Sequence, residues 1–245
     1  MLKIGLPVKN LILAALPFGE YERLLPDLEF ISLPLDVSLY RSGDVIEYVY
    51  FPGEGVVSLV THMRNGASIE VGLIGRDGMV GIPVLLGDDI ASEEAIVQIE
   101  GGAMRIRSDL FKEGLKRDHS PLLTQLLLYT RTLMKQVAQT AACNRLHTVE
   151  ERLSRWLLMC HDRMESDELP LKQEFISHML GTRRASVGTA ATELQAEGLI
   201  RYSRGHISIL KRKGLEKTAC ECYRVVKGEA DRLGAGLSDN AHLSL

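Results

Sequence analysis

Residues 173–200 read QEFISHMLGTRRASVGTAATELQAEGLI, and the apolar spacing of this stretch predicts two short helices. The first, residues 173–180, is followed by Gly181, which can adopt a left-handed turn without a Cβ penalty. The second, residues 182–197, ends before Gly198. Its inward stripe consists of Val187, Ala190, Ala191 and Leu194. The stretch therefore predicts two helices packed across a tight turn.

Two short strands are predicted directly after the second helix, at residues 199–202 and 206–210. They flank Ser203-Arg204-Gly205, which we interpret as the turn between them. The whole unit is therefore predicted to be a winged helix-turn-helix.

Charge is distributed unevenly along the 245 residues, whose net charge is −3. Residues 171–213 carry 8 basic and 3 acidic side chains, whereas residues 1–118 carry 11 basic and 18 acidic ones. A compact stretch of net +5 can neutralise phosphates, and an N-terminal part of net −7 would repel a polyanion. A nucleic-acid partner is therefore expected to bind near residues 171–213.

The candidate DNA contacts lie on the second helix, off its apolar stripe. Its N-terminal end combines basic and hydroxyl side chains with the unpaired backbone N–H groups of a helix start. These residues are Arg183, Arg184, Ser186 and Thr189. Phosphate contacts are predicted for Arg201, Arg204 and His206 on the wing and for Lys211, Arg212 and Lys213 after it. The alternative is a solvated basic face on a peptide-binding or scaffold domain.

A long helix is predicted after Pro121, upstream of this unit. One apolar stripe follows spacings of 4, 3, 4, 3 and 4 and consists of Leu123, Leu127, Thr130, Met134, Val137 and Ala141. Leu126 and Leu133 form a second apolar face. We expect one face to pack on the N-terminal part and the other on a second subunit, as a short coiled coil. The candidate dimerisation residues are Leu123, Leu127, Met134 and Val137. Two neighbours within one subunit are the alternative.

Residues 36–107 consist of short β-rich runs separated by turn residues. The predicted strands are 45–51, 55–62, 69–74, 95–99 and 103–106, with turns at 42–44, 52–53, 65–66 and 101–102. Asn65-Gly66 is typical of a type I′ hairpin turn, which needs a positive φ at both central residues. Short strands at this spacing predict a β-sandwich or roll. The predicted fold class is therefore α+β.

Composition excludes several classes of protein. Hydrophobic residues make up 45% and charged residues 25%, which is typical of folded globular proteins and argues against disorder. The longest N-terminal apolar run, residues 11–16, is too short for a signal peptide or a membrane span. We therefore expect a cytoplasmic protein with no membrane partner.

Four cysteines are too few for a disulfide scaffold: Cys143, Cys160, Cys220 and Cys222. Cys143 and His147 stand at i, i+4 and can share a helix face, while Cys220 and Cys222 form a second close pair. Pairs without matching partners are typical of packing residues and solvent-exposed thiols, so we predict no metal site and no cofactor. No catalytic triad, phosphate-binding loop or pair of catalytic carboxylates is recognisable, and we expect no enzyme.

The sequence resembles the cyclic AMP receptor and fumarate-nitrate regulator (Crp/Fnr) superfamily of bacterial transcription factors. The resemblance covers most of the chain and is most specific over residues 173–188 and 197–200. It implies a homodimer with a jelly-roll-like β-roll sensor domain (1–118), a central dimerisation helix (119–145) and a winged helix-turn-helix DNA-binding domain with a C-terminal extension (146–245). It also implies a roughly palindromic operator in double-stranded DNA and RNA polymerase as a partner.

Three positions of the predicted DNA-binding unit matter for specificity. By the family pattern, Arg184 falls on the position of the main base-reading arginine. Ala185 stands where many members have a base-contacting glutamate, and Thr189 where many have a second arginine. The preferred operator is therefore expected to differ from the best-known sites of the family.

Lys172 stands where a threonine commonly caps the first helix, which puts that cap in doubt.

The sensor domain departs from the family pattern at the nucleotide site. Alignment puts Ile82 where cyclic-nucleotide-binding members carry a glutamate, and Glu93 where they carry an arginine that pairs the cyclic phosphate. A carboxylate would repel a buried phosphate, so we expect no cyclic AMP binding of the usual kind and leave the effector unknown. The iron-sulfur cluster of other members needs N-terminal cysteines, and the first cysteine here is Cys143.

The sequence is therefore predicted to encode a transcriptional regulator that acts as a homodimer. Two alternatives stay open. One is a regulator that responds to a cyclic nucleotide or another small molecule held in an unorthodox pose. The other is an interaction module whose winged helix binds protein.

Overall fold

The computed structural model describes residues 9–117, 120–164, 166–203 and 205–242, with side chains described as far as residue 235. An N-terminal antiparallel sheet is followed by a long helix and a helix-turn-helix unit with a small sheet. This order confirms the predicted α+β class and the predicted architecture. The domain limits 1–118, 119–145 and 146–245 stay predictions.

The N-terminal part is built around a five-stranded antiparallel sheet. Its elements are α1 (Leu11–Ala14), α2 (Phe18–Leu24), β1 (Glu29–Leu33), β2 (Ser38–Tyr40), β3 (Tyr48–His62), β4 (Ser68–Ile74), α3 (Ile82–Leu85), β5 (Glu94–Arg107) and α4 (Ser108–Leu115). The strand order is β1-β5-β3-β4, and β2 also pairs with β5. Strands β1 and β2 lie outside the strands that the sequence predicts.

The long strands β3 and β5 are each continuous, so the prediction of turns at residues 52–53 and 101–102 is wrong. The pairing register between the two strands shifts at bulges in β3, and both strands continue past them. Gly55 has a φ of +81°, and a Cβ on Gly101 would lie 2.3 Å from the carbonyl oxygen of Glu54. The glycines therefore permit two bulged strands to approach closely, and they do not end the strands.

The hairpin predicted at Asn65-Gly66 joins β3 to β4, but its turn is of a different type. The N–H of Gly66 donates to the carbonyl of Met63 (2.9 Å), and the N–H of Met63 donates to the carbonyl of Ala67 (2.8 Å). Gly66 has a φ of +84°, whereas Asn65 is not among the described residues with a positive φ. The turn is therefore type I followed by a left-handed glycine, and the type I′ prediction is wrong.

The C-terminal part is mainly helical. Its elements are α5 (Pro121–Leu146), α6 (Val149–His161), β6 (Glu168–Leu169), α7 (Gln173–Met179), α8 (Arg184–Ala196), β7 (Ile200–Ser203), β8 (His206–Ile209), α9 (Arg212–Thr218) and α10 (Cys222–His242). A three-stranded sheet has the order β6-β8-β7. In the part of the chain that the structure describes, no helix combines the length and the apolar character that crossing a membrane requires.

The long helix α5 begins at a Ser-Pro pair and packs on the N-terminal sheet. The hydroxyl oxygen of Ser120 accepts from the N–H of Leu123 (3.3 Å), and Pro121 occupies a first-turn position that needs no donor. Leu126 and Leu133 are buried in the same core as the strands. The expected packing of this face on the N-terminal part is therefore confirmed.

A second hydrophobic core joins the sheet to the helix-turn-helix unit. Val56, Val60 and Leu73 of the sheet belong to one cluster of buried side chains with Trp156 of α6 and Val187 of α8. The helix-turn-helix unit therefore packs directly on the N-terminal sheet.

Glu70 of β4 is buried within this junction and takes part in a polar network. The indole N–H of Trp156 donates to its Oε1 (3.0 Å), and the Ser58 hydroxyl oxygen lies 2.6 Å from its Oε2. Ser58 also contacts Oε1 of Gln98, and one hydroxyl proton cannot serve both acceptors. The network is complete when Glu70 is protonated and donates to Ser58. Burial raises the pKa of Glu70 to about 7.

This carboxyl group predicts a pH-dependent stability. The folded protein retains a proton on Glu70 that the unfolded chain loses near pH 4.5, so this contribution falls as the pH rises from about 4.5 to about 7. We expect Glu70→Gln, which mimics the protonated form, to stabilise the protein at pH 8 by on the order of 3 kcal/mol and to have little effect at pH 4.5. Thermal melts of both proteins at the two pH values measure this difference. The same difference at both pH values would contradict the assignment.

Candidate nucleic-acid interface

The turn between α7 and α8 is set by one glycine. Gly181 has a φ of +56°, and the N–H of Thr182 donates to the carbonyl of Ser177 (3.0 Å). A Cβ at Gly181 would also lie 2.6 Å from Cδ1 of Ile69 on β4. The glycine is therefore required both by the backbone conformation and by the contact with the N-terminal sheet.

The predicted inward stripe of α8 is confirmed. Its four residues are buried: Val187, Ala190, Ala191 and Leu194. Arg183, Arg184 and Thr189 are exposed on the outside, and Ser186 is half-buried. The Thr189 hydroxyl donates to the carbonyl of Ala185 (3.2 Å) within the helix. The structure therefore brings all four predicted helix contacts to one end of α8.

The two arginines at the start of α8 are exposed and without a partner. Within the described residues, the side chains of Arg183 and Arg184 take part in no hydrogen bond or ion pair. Burial and the charges of Glu193 and Glu197 raise the pKa of Glu150 on α6. In this part of the chain, no ion pair joins Arg184 to Glu193 or Glu197. The first turn of α8 holds no acidic residue.

The wing is fastened to both helices by polar contacts. The Gln195 side-chain oxygen accepts from the N–H of Tyr202 (2.7 Å). The Tyr202 hydroxyl in turn accepts from the N–H of Gln173 (3.2 Å) at the start of α7. Lys172 occupies the N-cap position of α7, and its side chain makes no capping hydrogen bond, as expected for a lysine. The Tyr202 hydroxyl instead accepts from one of the N–H groups that a helix start leaves unpaired.

Two of the three predicted wing contacts are exposed. Arg201 on β7 and His206 on β8 both lie on the surface. Arg204 lies outside the described residues, and its role stays a prediction.

Arg212 has a different environment from the one that the sequence predicted. Its guanidinium lies 2.6 Å from a carboxylate oxygen of Asp162 and 3.0 Å from one of Glu216, and it donates to the Tyr223 hydroxyl (2.6 Å). This half-buried group joins α9 to α6 and α10. Carboxylates within the fold therefore already pair the charge of Arg212, whereas Lys211 and Lys213 are exposed, and the phosphate contacts of all three stay predictions.

Two of the four predicted dimerisation residues of α5 are largely exposed. Leu127 is 51% exposed and Met134 is 68% exposed, while Leu123 is half-buried. Val137 is partly buried against the N-terminal core, so part of its surface is used within the subunit. The stripe also includes Thr130, which is buried.

A second intramolecular neighbour lies beside this stripe. Helix α10 packs along α5, where Glu229 is 3.5 Å from both Arg131 and Lys135. This contact agrees with the alternative of two neighbours within one subunit, and packing of the exposed part of the stripe on a second subunit stays a prediction.

The segment that aligns with part of the nucleotide site of the family packs into the N-terminal core. Met79 and Val80 are fully buried in the N-terminal core together with Tyr129 of α5. A Cβ on Gly78 would lie 2.4 Å from the Tyr129 hydroxyl oxygen, so the helix approaches this segment closely. The carboxylate of Glu93 contacts the Ser92 hydroxyl.

The cysteine and histidine residues that the sequence presents as two separate pairs come together in the fold. One ligand atom from each of Cys143, His147, Cys220 and Cys222 lies within 4.8 Å of the other three. All four cysteines of the chain are buried, and none forms a disulfide. The expectation of packing residues agrees with this burial, whereas the expectation of solvent-exposed thiols without matching partners is wrong.

Comparison with known proteins matches both parts of the chain. Residues 31–118 match the family model of the cyclic nucleotide-binding domain, and residues 151–218 match that of the Crp-like helix-turn-helix domain. No curated protein sequence matches the chain significantly.

Solved structures of regulators are similar along most of their length. FixK2 from Bradyrhizobium japonicum is 17% identical, with a TM-score of 0.68 over 79% of this chain and 98% of that one. TTHB099, a transcriptional regulator of the CRP family from Thermus thermophilus, is 20% identical, with a TM-score of 0.63 over 77% and 96%. The c-di-GMP responsive global regulator CLP of Xanthomonas campestris is 17% identical, with a TM-score of 0.63 over 78% and 98%. These likenesses concern the fold.

Proposed function

We propose, from the premise that this chain belongs to the Crp/Fnr superfamily of transcriptional regulators, that it binds a specific double-stranded DNA sequence as a homodimer. One observation carries the proposal. Arg183 and Arg184 are exposed at the N-terminal end of α8 and make no ion pair within the described residues. Exposed, unpaired arginines at the positive end of a helix dipole favour contact with a polyanion.

The roles of the basic residues follow from their positions. A helix that enters the major groove by its N-terminal end presents its first turn to base edges, where the guanidinium of Arg184 can bond guanine O6 and N7. Arg201 on the wing and Lys211 after it lie where backbone phosphates pass. Two copies of α8 in a dimer would contact half-sites one helical turn apart, which requires a roughly palindromic operator.

Selection from a random DNA pool tests this proposal. Selected sequences are expected to form an inverted repeat, and the logarithm of the affinity for random duplex should fall steeply with the logarithm of the salt concentration. Arg117→Ala, on the exposed surface of the acidic N-terminal part, is the control and should not change the slope. A slope near zero together with no enriched sequence would contradict the proposal and favour a protein-binding wing.

The sensor domain is proposed to have lost the usual cyclic nucleotide chemistry. Ile82 offers no group for a ribose hydroxyl, Glu93 would repel a cyclic phosphate, and Tyr129 lies close to the segment beside them. We expect cyclic AMP and cyclic GMP to bind no better than about 1 mM, which corresponds to only about 4 kcal/mol. Isothermal titration calorimetry measures this affinity. A micromolar dissociation constant would contradict the alignment and favour an unorthodox pose.

The effector stays unknown, and RNA polymerase as a partner stays a prediction.

A further inference from the structure

The cluster of Cys143, His147, Cys220 and Cys222 lies where three helices meet. Cys143 lies in the last turn of α5, and His147 follows the end of that helix. Cys220 and Cys222 lie between α9 and the start of α10. The three thiols are at most 5% exposed and form a cluster of their own, separate from both main cores.

Two distances within the cluster are close to the edges of a tetrahedron around one metal ion, and the other four are at most 4.8 Å. The Sγ atoms of Cys143 and Cys220 are 3.5 Å apart, and Sγ of Cys222 is 3.6 Å from Nδ1 of His147. Tetrahedral zinc with Zn–S of about 2.3 Å and Zn–N of about 2.0 Å has S···S edges of about 3.8 Å and S···N edges of about 3.5 Å. The two thiols of the first pair are also too far apart to be a disulfide, whose sulfurs lie about 2.05 Å apart.

Neighbouring polar groups orient two of the four side chains. Oε2 of Glu221 lies 3.2 Å from Nε2 of His147, which holds the ring proton on Nε2 and leaves Nδ1 free as a ligand. The side-chain amide of Gln139 donates to Sγ of Cys222 (3.1 Å), as expected for a group that stabilises a thiolate. Metal-bound histidines usually have a carboxylate partner of this kind.

Buried positive charge lies beside the thiols. Arg152 and Arg155 of α6 are 8% and 4% exposed, and neither forms an ion pair with a carboxylate among the residues that the structure describes. The guanidinium of Arg155 donates to the hydroxyl of Thr140 (2.7 Å), three residues before Cys143 on α5. Three thiolates around Zn²⁺ leave one net negative charge, which these arginines can balance.

We propose that Cys143, His147, Cys220 and Cys222 bind a single structural Zn²⁺ ion. Three cysteines and one histidine fill all four positions of a tetrahedral zinc site, so no position is left open for substrate. Binding displaces three thiol protons to solvent. The ligands of an iron-sulfur cluster hold different irons and therefore lie farther apart than four ligands that share one ion. This inference does not rest on the proposed function.

The ion would fasten the end of α5 to the connection between α9 and α10. Only His147 and Thr148 separate α5 from α6, so the site lies directly beside the junction to the helix-turn-helix unit. Zinc would therefore stabilise the position of α10 on α5, and chelation should lower the melting temperature of the whole protein.

Metal analysis of the full chain tests the inference. The protein, purified under reducing conditions and loaded with Zn²⁺, is expected to retain one equivalent per chain through gel filtration. Replacement by Co²⁺ should give the intense visible bands of tetrahedral cobalt and a thiolate charge-transfer band, a measurement that needs no variant. Cys222→Ser should bind Zn²⁺ at least 100-fold more weakly. Cys160→Ser, which removes a buried thiol outside the cluster, is the matched control and should retain the metal.

Each other outcome overturns the inference. Substoichiometric zinc in the wild-type protein, an octahedral cobalt spectrum or an iron-sulfide chromophore would each contradict the site. A Cys143–Cys220 disulfide found by mass spectrometry in protein that binds no zinc would replace it with a redox pair. Zinc affinity lost equally in Cys160→Ser and Cys222→Ser would show that the loss reflects folding and not ligation.

Discussion

Replacing both Leu127 and Met134 by glutamate is expected to convert a dimer into monomers and to weaken operator binding by about 100-fold to 10,000-fold, because each monomer then holds one half-site alone. Both side chains are more than half exposed on α5, on the side that neither the sheet nor α10 covers. Sedimentation velocity at micromolar concentration measures the first effect and operator binding the second. An apolar stripe on a long helix is typical of a coiled-coil contact.

The control is Met63→Glu, which changes an exposed methionine in the hairpin between β3 and β4. This variant should remain dimeric and bind the operator normally. A wild-type protein that sediments as a monomer at micromolar concentration would rule out this stripe as a dimer contact. The intramolecular packing of α5 would then be its whole role.

Arg184→Ala is expected to weaken operator binding by about 1 to 3 kcal/mol per half-site, which is about 5-fold to 150-fold for each. The variant should also lose preference at one base pair, which we expect to contain guanine. Because Arg184 makes no ion pair in the described part of the chain, the melting temperature should stay unchanged. Binding to a panel of single-base operator variants measures the change in preference.

Arg201→Ala is the matched comparison on the wing. It should weaken binding to all sequences about equally and reduce the salt slope by roughly one unit for each phosphate that is no longer neutralised. The same uniform weakening is expected for Arg204→Ala. An Arg184→Ala variant that keeps the wild-type order of base preferences would show that another residue reads the operator.

Local patterns predicted the helix-turn-helix unit well. The stripe of α8 and the turn at Gly181 depend on residues close together in sequence, and both are present in the structure. The open side of α5 was predicted for the same reason. Periodicity records which side of a helix is apolar, and it does so without information on distant neighbours.

Features that depend on distant residues could not be predicted in this way. The sequence around Gly101 predicts a turn because nothing near this residue indicates its neighbour Glu54. In the fold, Gly101 of β5 lies against the carbonyl of Glu54 on β3. The sequence around Arg212 predicts a phosphate contact because its carboxylate partner Asp162 lies fifty residues away. The spacing of Cys143 and Cys220 likewise carries no sign that α10 folds back onto α5.

The core shared by the N-terminal sheet and the helix-turn-helix unit has a consequence for how the protein unfolds. Trp156 and Leu73 lie in one cluster, and Gly181 touches Ile69, so neither part can lose its packing without exposing apolar surface of the other. The two parts should therefore melt in a single cooperative transition. A fragment beginning near residue 146 would carry an uncovered tryptophan face and would aggregate, although its limits agree with a recognisable domain.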